Sequence, residues 1–291
     1  METGLVAIPM GFARRFLQTS IGQMVYFTQD TDRPETLVFL HGFGGGSSSF
    51  EWSLVYPYFT AGYRVVAPDL IGWGESYHLE RDYQPDDYLR SLREFLEQQA
   101  GVVTVVASSV VAAWVVRLAA EFPQLIQRLV LMCPTGLSDF GEPYKNPFFQ
   151  VVAAVPGVNW LFYQQGVANR GTIRYFLEER LFARKERVTN EMVEAYYASA
   201  SQPQAEFSAF SFLKGDLCFD LALWLPRLQT PTAIFWGERA QFAGPKLGQR
   251  LAQLSEQVRV FTVIPDTGTT PQLERPALVC AQLTQALPKL L

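Results

Sequence analysis

Two histidines and three cysteines are all that this chain of 291 residues offers for metal, redox or imidazole chemistry. Cys133, Cys218 and Cys280 lie far apart, with no C-x-x-C pair, which fits a reducing compartment and argues against structural zinc. Neither a metal nor a cofactor is expected. Charge is sparse too, at 18% of residues, with 24 Lys+Arg against 28 Asp+Glu for a net −4. Without Lys/Arg runs, that balance argues against a nucleic-acid binder that tracks phosphates. Long apolar runs are also missing. The most apolar stretch, Gly101 to Val116, has 16 residues and contains Thr104, Ser108 and Ser109. A membrane-spanning helix needs about 20 apolar residues. The uncharged stretch Asn146–Asn169 is interrupted by Pro156, Gly157, Asn159, Gln164 and Gln165. Met1–Met10 carries no basic residue and no long apolar run, so it does not read as a secretory signal. A soluble, cytoplasmic chain without a membrane span is expected.

What the chain does have is apolar mass, 48% hydrophobic and 14% aromatic residues, which excludes intrinsic disorder. Short apolar, β-branched runs predict strands at Gln23–Gln29, Thr36–Leu40, Tyr63–Ala67, Val102–Ala107, Arg128–Cys133, Thr232–Trp236 and Val258–Ile264. Helical patterns fall between them at Phe50–Phe59, Asp86–Ala100, Val110–Glu121, Pro245–Leu254 and Pro276–Leu287. Several strands are continuously apolar, as strands covered on both faces of a parallel sheet must be. The alternation predicts a doubly wound, mostly parallel α/β fold. It breaks between roughly Gly136 and Pro226, a stretch rich in aromatics such as Phe148, Phe149, Trp160, Phe162, Phe176 and Phe212. Helical segments are expected there near Thr172–Phe182, Asn190–Ser199 and Gln204–Leu213. So long a stretch is not a plain loop in a compact domain. The expected organisation is a core in two parts, 1–136 and 227–291, with a helical cap over 137–226.

Three segments then carry a resemblance. His41-Gly42-Phe43-Gly44-Gly45-Gly46 follows a strand directly and is similar to an H-G-x-G oxyanion loop. Asp69-Leu70-Ile71-Gly72-Trp73-Gly74-Glu75-Ser76 follows the next strand and is similar to D-x-x-G-x-G-x-S. Ala107-Ser108-Ser109-Val110-Val111 joins a strand to a helix, at the place of a nucleophile elbow. In this order over nearly the whole chain, they resemble the α/β-hydrolase family. The resemblance implies Ser109 as nucleophile and the backbone N–H groups of Phe43 and Val110 as oxyanion donors. In place of the two glycines of G-x-S-x-G stand Ala107 and the bulky Val111.

The same resemblance shows what is missing. Trp236-Gly237-Glu238-Arg239-Ala240 matches a W-G-x-x-D pattern with Ala240 at the acid's position. Asp266-Thr267-Gly268-Thr269 runs on through Glu274 to Pro276, similar to D-x-G-H-x-x-x-x-E-x-P, with Thr269 at the base's position. A hydroxyl has no suitable pKa for general-base work near neutrality. Neither His41 in the oxyanion loop nor His78, on a turn near the pocket mouth, falls at that position. Glu238 and Asp139 are weak substitutes for the acid, and Asp69 and Glu274 read as loop anchors. Losing the histidine of a serine triad costs on the order of 10⁶ in kcat. The expectation is therefore a binder of a small apolar ligand or a protein partner, with little or no catalysis. The alternative is an esterase-like serine hydrolase using Ser109 with a displaced base. The basic residues Arg170, Arg174, Arg180, Arg184, Lys185 and Arg187 are candidates for a docking face.

Overall fold

The computed structural model describes residues 8–144 and 158–291, together with Phe148 and Val152. The first seven residues, Phe149 and part of the uncharged 146–169 stretch lie outside them. Eight strands form one sheet in the order β1-β2-β4-β3-β5-β6-β7-β8. They are β1 (Ala13–Gln18), β2 (Gln23–Thr28), β3 (Glu35–Leu40), β4 (Arg64–Pro68), β5 (Val102–Ser108), β6 (Arg128–Met132), β7 (Thr232–Gly237) and β8 (Val258–Ile264). β1 pairs with β2, and β2 with β4, antiparallel. Every other pairing is parallel, for instance Val38 opposite Val105 between β3 and β5. Successive side chains of a strand point to opposite faces. Because β3, β5 and β7 are buried almost throughout, both faces of the sheet must be covered.

The main helices outside the long insertion are α1 (Pro85–Glu97) and α2 (Ser109–Glu121) before it, with Pro245–Ala252 and Pro276–Ala286 after it. α1 starts where Pro85 is preset for a first turn and Asp87 folds back to accept from the Gln84 N–H at 2.9 Å. The expected helix over Phe50–Phe59 is not formed. Two 3-10 turns, Ser49–Trp52 and Tyr56–Phe59, replace it, with Pro57 breaking the ladder between them. β1 was not foreseen. Its Arg14 and Arg15 and its mostly exposed face blur the apolar alternation that marks a strand.

Between β6 and β7 no strand of the sheet occurs among the described residues. An isolated parallel bridge joins Leu137 to Phe219, holding the two ends of this excursion together. Its longer helices are α3 (Arg170–Phe176), α4 (Asn190–Ala200) and α5 (Ala205–Leu213), with α3 running on into a π-turn at Leu177–Leu181. A second apolar core sits here, built from Tyr163, Ile173, Leu177, Met192, Tyr196 and Phe210.

Candidate functional site

β5 and α2 meet with no linker, since the strand ends at Ser108 and the helix begins at Ser109. The chain turns there by placing Ser109 at φ 56°, a left-handed conformation costly for a non-glycine residue. The bulky Val111 and Ala107 are both fully buried, so the larger side chain sits in the core. Gly42 crosses directly behind the turn. A Cβ on Gly42 would lie 3.2 Å from Ser109 Cβ and 3.2 Å from Ser108 Oγ, which is why the loop after β3 can pass so close. Gly46, at φ 96°, leaves no room for a Cβ against the Tyr196 carbonyl of α4.

Ser109 opens into a cavity of about 280 Å³. Its floor is Phe43, Gly44 and Trp73, with the Phe43 and Trp73 rings stacked at 4.7 Å. Phe162, Ile173, Phe176, Leu181, Ala209 and Phe212 close it from the side of the long excursion, and Phe242 and Ala243 from the loop after β7. Thr269 lines the same cavity, so the nucleophile and base positions of the sequence pattern are brought together. Ala240 is buried but does not line it. The loops after β7 and β8 are tied by the Arg239 N–H donating to the Thr267 carbonyl at 2.9 Å.

No His, Lys, Arg, Asp or Glu is among the described residues that line the cavity. Its titratable groups are Cys133 and Tyr144. Burial pushes the Cys133 thiol up to about 12, against the Gly237 N–H that reaches its sulfur at 3.3 Å. Burial also raises the Tyr144 phenol. Both stay protonated at neutral pH.

His41 is fully buried behind the loop. Its Nδ1–H donates to the Gly42 carbonyl at 2.7 Å, and its Nε2 accepts from the Leu70 N–H at 3.0 Å. Both nitrogens are spent on backbone, and burial lowers its pKa. His78 does not line the cavity either. Its Nε2 lies 3.3 Å from the Gly74 carbonyl, and burial lowers its pKa to about 4. Of the loop residues singled out in the sequence, Phe43 and Gly44 reach the cavity, while His41, Gly42 and the Val110 side chain do not. The backbone N–H groups of Phe43 and Val110, like the Ser109 hydroxyl, have no hydrogen-bond acceptor among the described residues.

Each candidate acid has another task. Glu238 accepts from the Asp266 N–H at 2.9 Å, on the exposed side of the loop. Asp139 accepts from the Thr135 hydroxyl at 2.6 Å and the Leu221 N–H at 3.0 Å. Glu274 takes the N–H groups of Gly268 and Ala183 and pairs with Arg187. Asp69 accepts from Ser49 N–H at 2.7 Å and Glu75 N–H at 2.8 Å. One buried carboxylate escaped the sequence reading. Glu51 accepts from the Gly42 N–H at 2.8 Å and from the Tyr196 hydroxyl at 3.1 Å, with no cation paired to it among the described residues. Only its position in an apolar run could have flagged it. Among the described residues, no cluster of three His, Cys, Asp or Glu could hold a metal, and no helix is long and apolar enough to cross a membrane.

A family model for the alpha/beta hydrolase family matches residues 37–282. Lipase 3 of Moraxella sp. is 22% identical over 87% of this chain and 77% of its own length. A 2-hydroxy-6-oxo-6-phenylhexa-2,4-dienoate hydrolase of Burkholderia cepacia is 25% identical over 76% of this chain and 77% of its own. In three dimensions the Cif epoxide hydrolase of Acinetobacter nosocomialis superposes with a TM-score of 0.80 at 19% identity, covering 98% of this chain and 91% of that one.

Proposed function

The chain belongs to the α/β hydrolase family; within it, we propose that this chain binds a small apolar molecule with little or no turnover. One observation carries this reading: the cavity holding Ser109 and Thr269 has no group among its described lining residues that could take a proton from the serine near neutral pH. Without a base, a serine hydroxyl is a poor nucleophile. In this reading residues 137–226 act as a cap over an uncharged cavity whose walls are mainly aliphatic and aromatic. A charged ligand would lose its hydration there without gaining a partner. Four of the six basic residues of the cap are already paired within the chain, which weakens the case for a protein partner there. Arg170 pairs with Glu194, Arg174 with Glu178, and Arg184 and Arg187 with Asp266.

A second reading, a serine hydrolase acting through Ser109, draws on the strained φ of 56° at that residue and on the unpartnered N–H groups of Phe43 and Val110. Those groups suit an oxyanion. A fluorophosphonate probe separates the two readings. Ser109 is expected to label on the order of 10⁶ slower than the serine of a complete triad, following the cost of removing the histidine. Stoichiometric labelling at ordinary hydrolase rates, with ester turnover lost in Ser109→Ala, would overturn the binder reading.

A further inference from the structure

Phe242 is the most exposed of the described residues that line the Ser109 cavity, at 51%, whereas the others are buried or half-buried. A side chain that faces both cavity and solvent stands at the boundary between them, so Phe242 marks the mouth. Its neighbour there is Phe176, another lining residue, at the C-terminal end of α3. The two ring centroids lie 6.3 Å apart, with the planes tilted by 51°. Phe176 also rests on the cavity floor, since a Cβ on Gly44 would lie 3.2 Å from its ring. One ring comes from the long excursion and the other from the loop after β7. The mouth is therefore a seam between two elements.

Both edges of the seam are built to yield. In the loop after β7, the Ala240 N–H donates to the Gly237 carbonyl at 3.2 Å, and the Trp236 indole donates to the Ala243 carbonyl at 2.8 Å. Between these anchors Gln241 and Phe242 make no hydrogen bond among the described residues. A segment with so few bonds opens at small cost. On the other edge, Phe176 immediately precedes the π-turn Leu177–Leu181, which the Phe182 N–H closes on the Leu177 carbonyl at 3.0 Å. Phe162, also in the lining, stands in the same way before a π-turn at Tyr163–Val167. Such wide turns are rare and collect at functional sites.

The spacing of the rings selects by shape. Contacting carbons lie about 3.5–4.0 Å apart, so a flat ring sliding between two others needs them about 7–8 Å apart. The observed 6.3 Å falls short of that by about 1 Å. A caged aliphatic molecule is thicker and needs a far wider opening. We propose that Phe176 and Phe242 form the gate of the cavity and make it selective for flat, neutral aromatic ligands. The inference rests on the apolar-binder reading and adds to it an entrance and a ligand shape. Inside, Phe43, Trp73, Phe162 and Phe212 offer further rings for offset or edge-on contact with an aromatic guest.

The test follows the flat, neutral, polarity-sensitive dye prodan by stopped flow into wild type, Phe242→Ala and Phe242→Trp. Phe242 is half exposed, so its replacement leaves the core intact. Binding that waits on a conformational change associates slowly, and removing the gate ring should raise the association rate about tenfold. The larger ring of Phe242→Trp should lower it. A ring that served as wall alone would, on removal, raise only the dissociation rate. Competition against prodan should show naphthol entering wild type at least about tenfold faster than caged adamantanol, with the difference lost in Phe242→Ala. Cys133, buried in the cavity lining, gives a readout that needs no ligand. Its modification by methyl methanethiosulfonate, followed on the Cys133 peptide by mass spectrometry, should also accelerate in Phe242→Ala. An unchanged rate of either prodan association or Cys133 modification in that variant overturns the gate. Failure of wild type to bind prodan, or equal entry of naphthol and adamantanol, overturns the flat-aromatic selectivity. The binder reading fails on a different observation, rapid ester turnover, which would leave both entry rates as stated.

Discussion

Asp69 is a buried carboxylate with no cation beside it among the described residues, held by the Ser49 and Glu75 backbone N–H groups and the Ser49 side chain. Burial raises its pKa from the ordinary 3.8 to about 6, against the opposing pull of the Glu75 and Ser49 N–H groups. In the unfolded chain it ionises near 3.8, so between these values the native state holds the extra proton. Its contribution to stability is thus intact at low pH and is lost as pH rises through about 6. Asp69→Asn forfeits one acceptor at every pH but escapes this penalty. Its stability deficit relative to wild type should shrink by about 2 kcal/mol between pH 4 and pH 7. Urea unfolding at several pH values checks this, and a deficit that stays constant would contradict the assignment. Residues of this kind were only half legible beforehand. Asp69, Thr269 and Ala240 stand inside patterns with fixed neighbours, so their places could be read from spacing. Glu51 and Cys133 are held beside the site by residues distant in sequence, Tyr196 on α4 and Gly237 at the end of β7. No local pattern encodes such partners.

At the scale of elements, the β5–α2 junction concentrates backbone strain in one residue. A left-handed conformation costs a non-glycine residue about 1–2 kcal/mol, and glycine avoids that cost. Ser109→Gly and Ser109→Ala both remove the hydroxyl, but only alanine keeps the strain. Ser109→Gly should therefore exceed Ser109→Ala in stability by about 1 kcal/mol in chemical denaturation. Equal stabilities would mean that the turn relaxes in solution. The strand–turn–helix character of this junction was readable because a continuously apolar strand switches into a helix over two serines. The 3-10 turns at Ser49–Trp52 and Tyr56–Phe59 were not, since apolar residues at helical spacing fit one helix equally well. There, i to i+3 bonds such as Ser53 N–H to the Phe50 carbonyl at 3.0 Å and Tyr58 N–H to the Val55 carbonyl at 3.1 Å prevail.

Across the whole molecule, helices α4 and α5 are fastened to the glycine loops of the sheet by buried hydroxyls. Ser199 donates to the Ser47 carbonyl and accepts from Gly74 N–H, each at 3.0 Å. Ser208 donates to the Gly72 carbonyl at 2.6 Å, and Ser211 accepts from Tyr83 N–H at 2.9 Å. Breaking such bonds leaves buried partners unpaired, so the roof and floor of the cavity form one cooperative body. A ligand that fills the cavity should then stabilise the entire fold rather than the roof alone. At a free concentration of 100 times its Kd, a native-state ligand adds about 2.7 kcal/mol. For a chain of this size that raises Tm by about 5 °C. Ala209, on α5 and 3% exposed, lines the cavity, and Ala209→Phe directs a ring into the space. Screening neutral aromatic and aliphatic compounds by thermal shift should find ligands that raise the wild-type Tm as one sharp transition. Ala209→Phe should unfold near the unliganded wild-type Tm and gain nothing from the same compounds. Equal gains in both proteins would place the binding outside this cavity. A transition that splits in two on ligand addition would mean that roof and sheet unfold independently, against the buried serine bonds that join them.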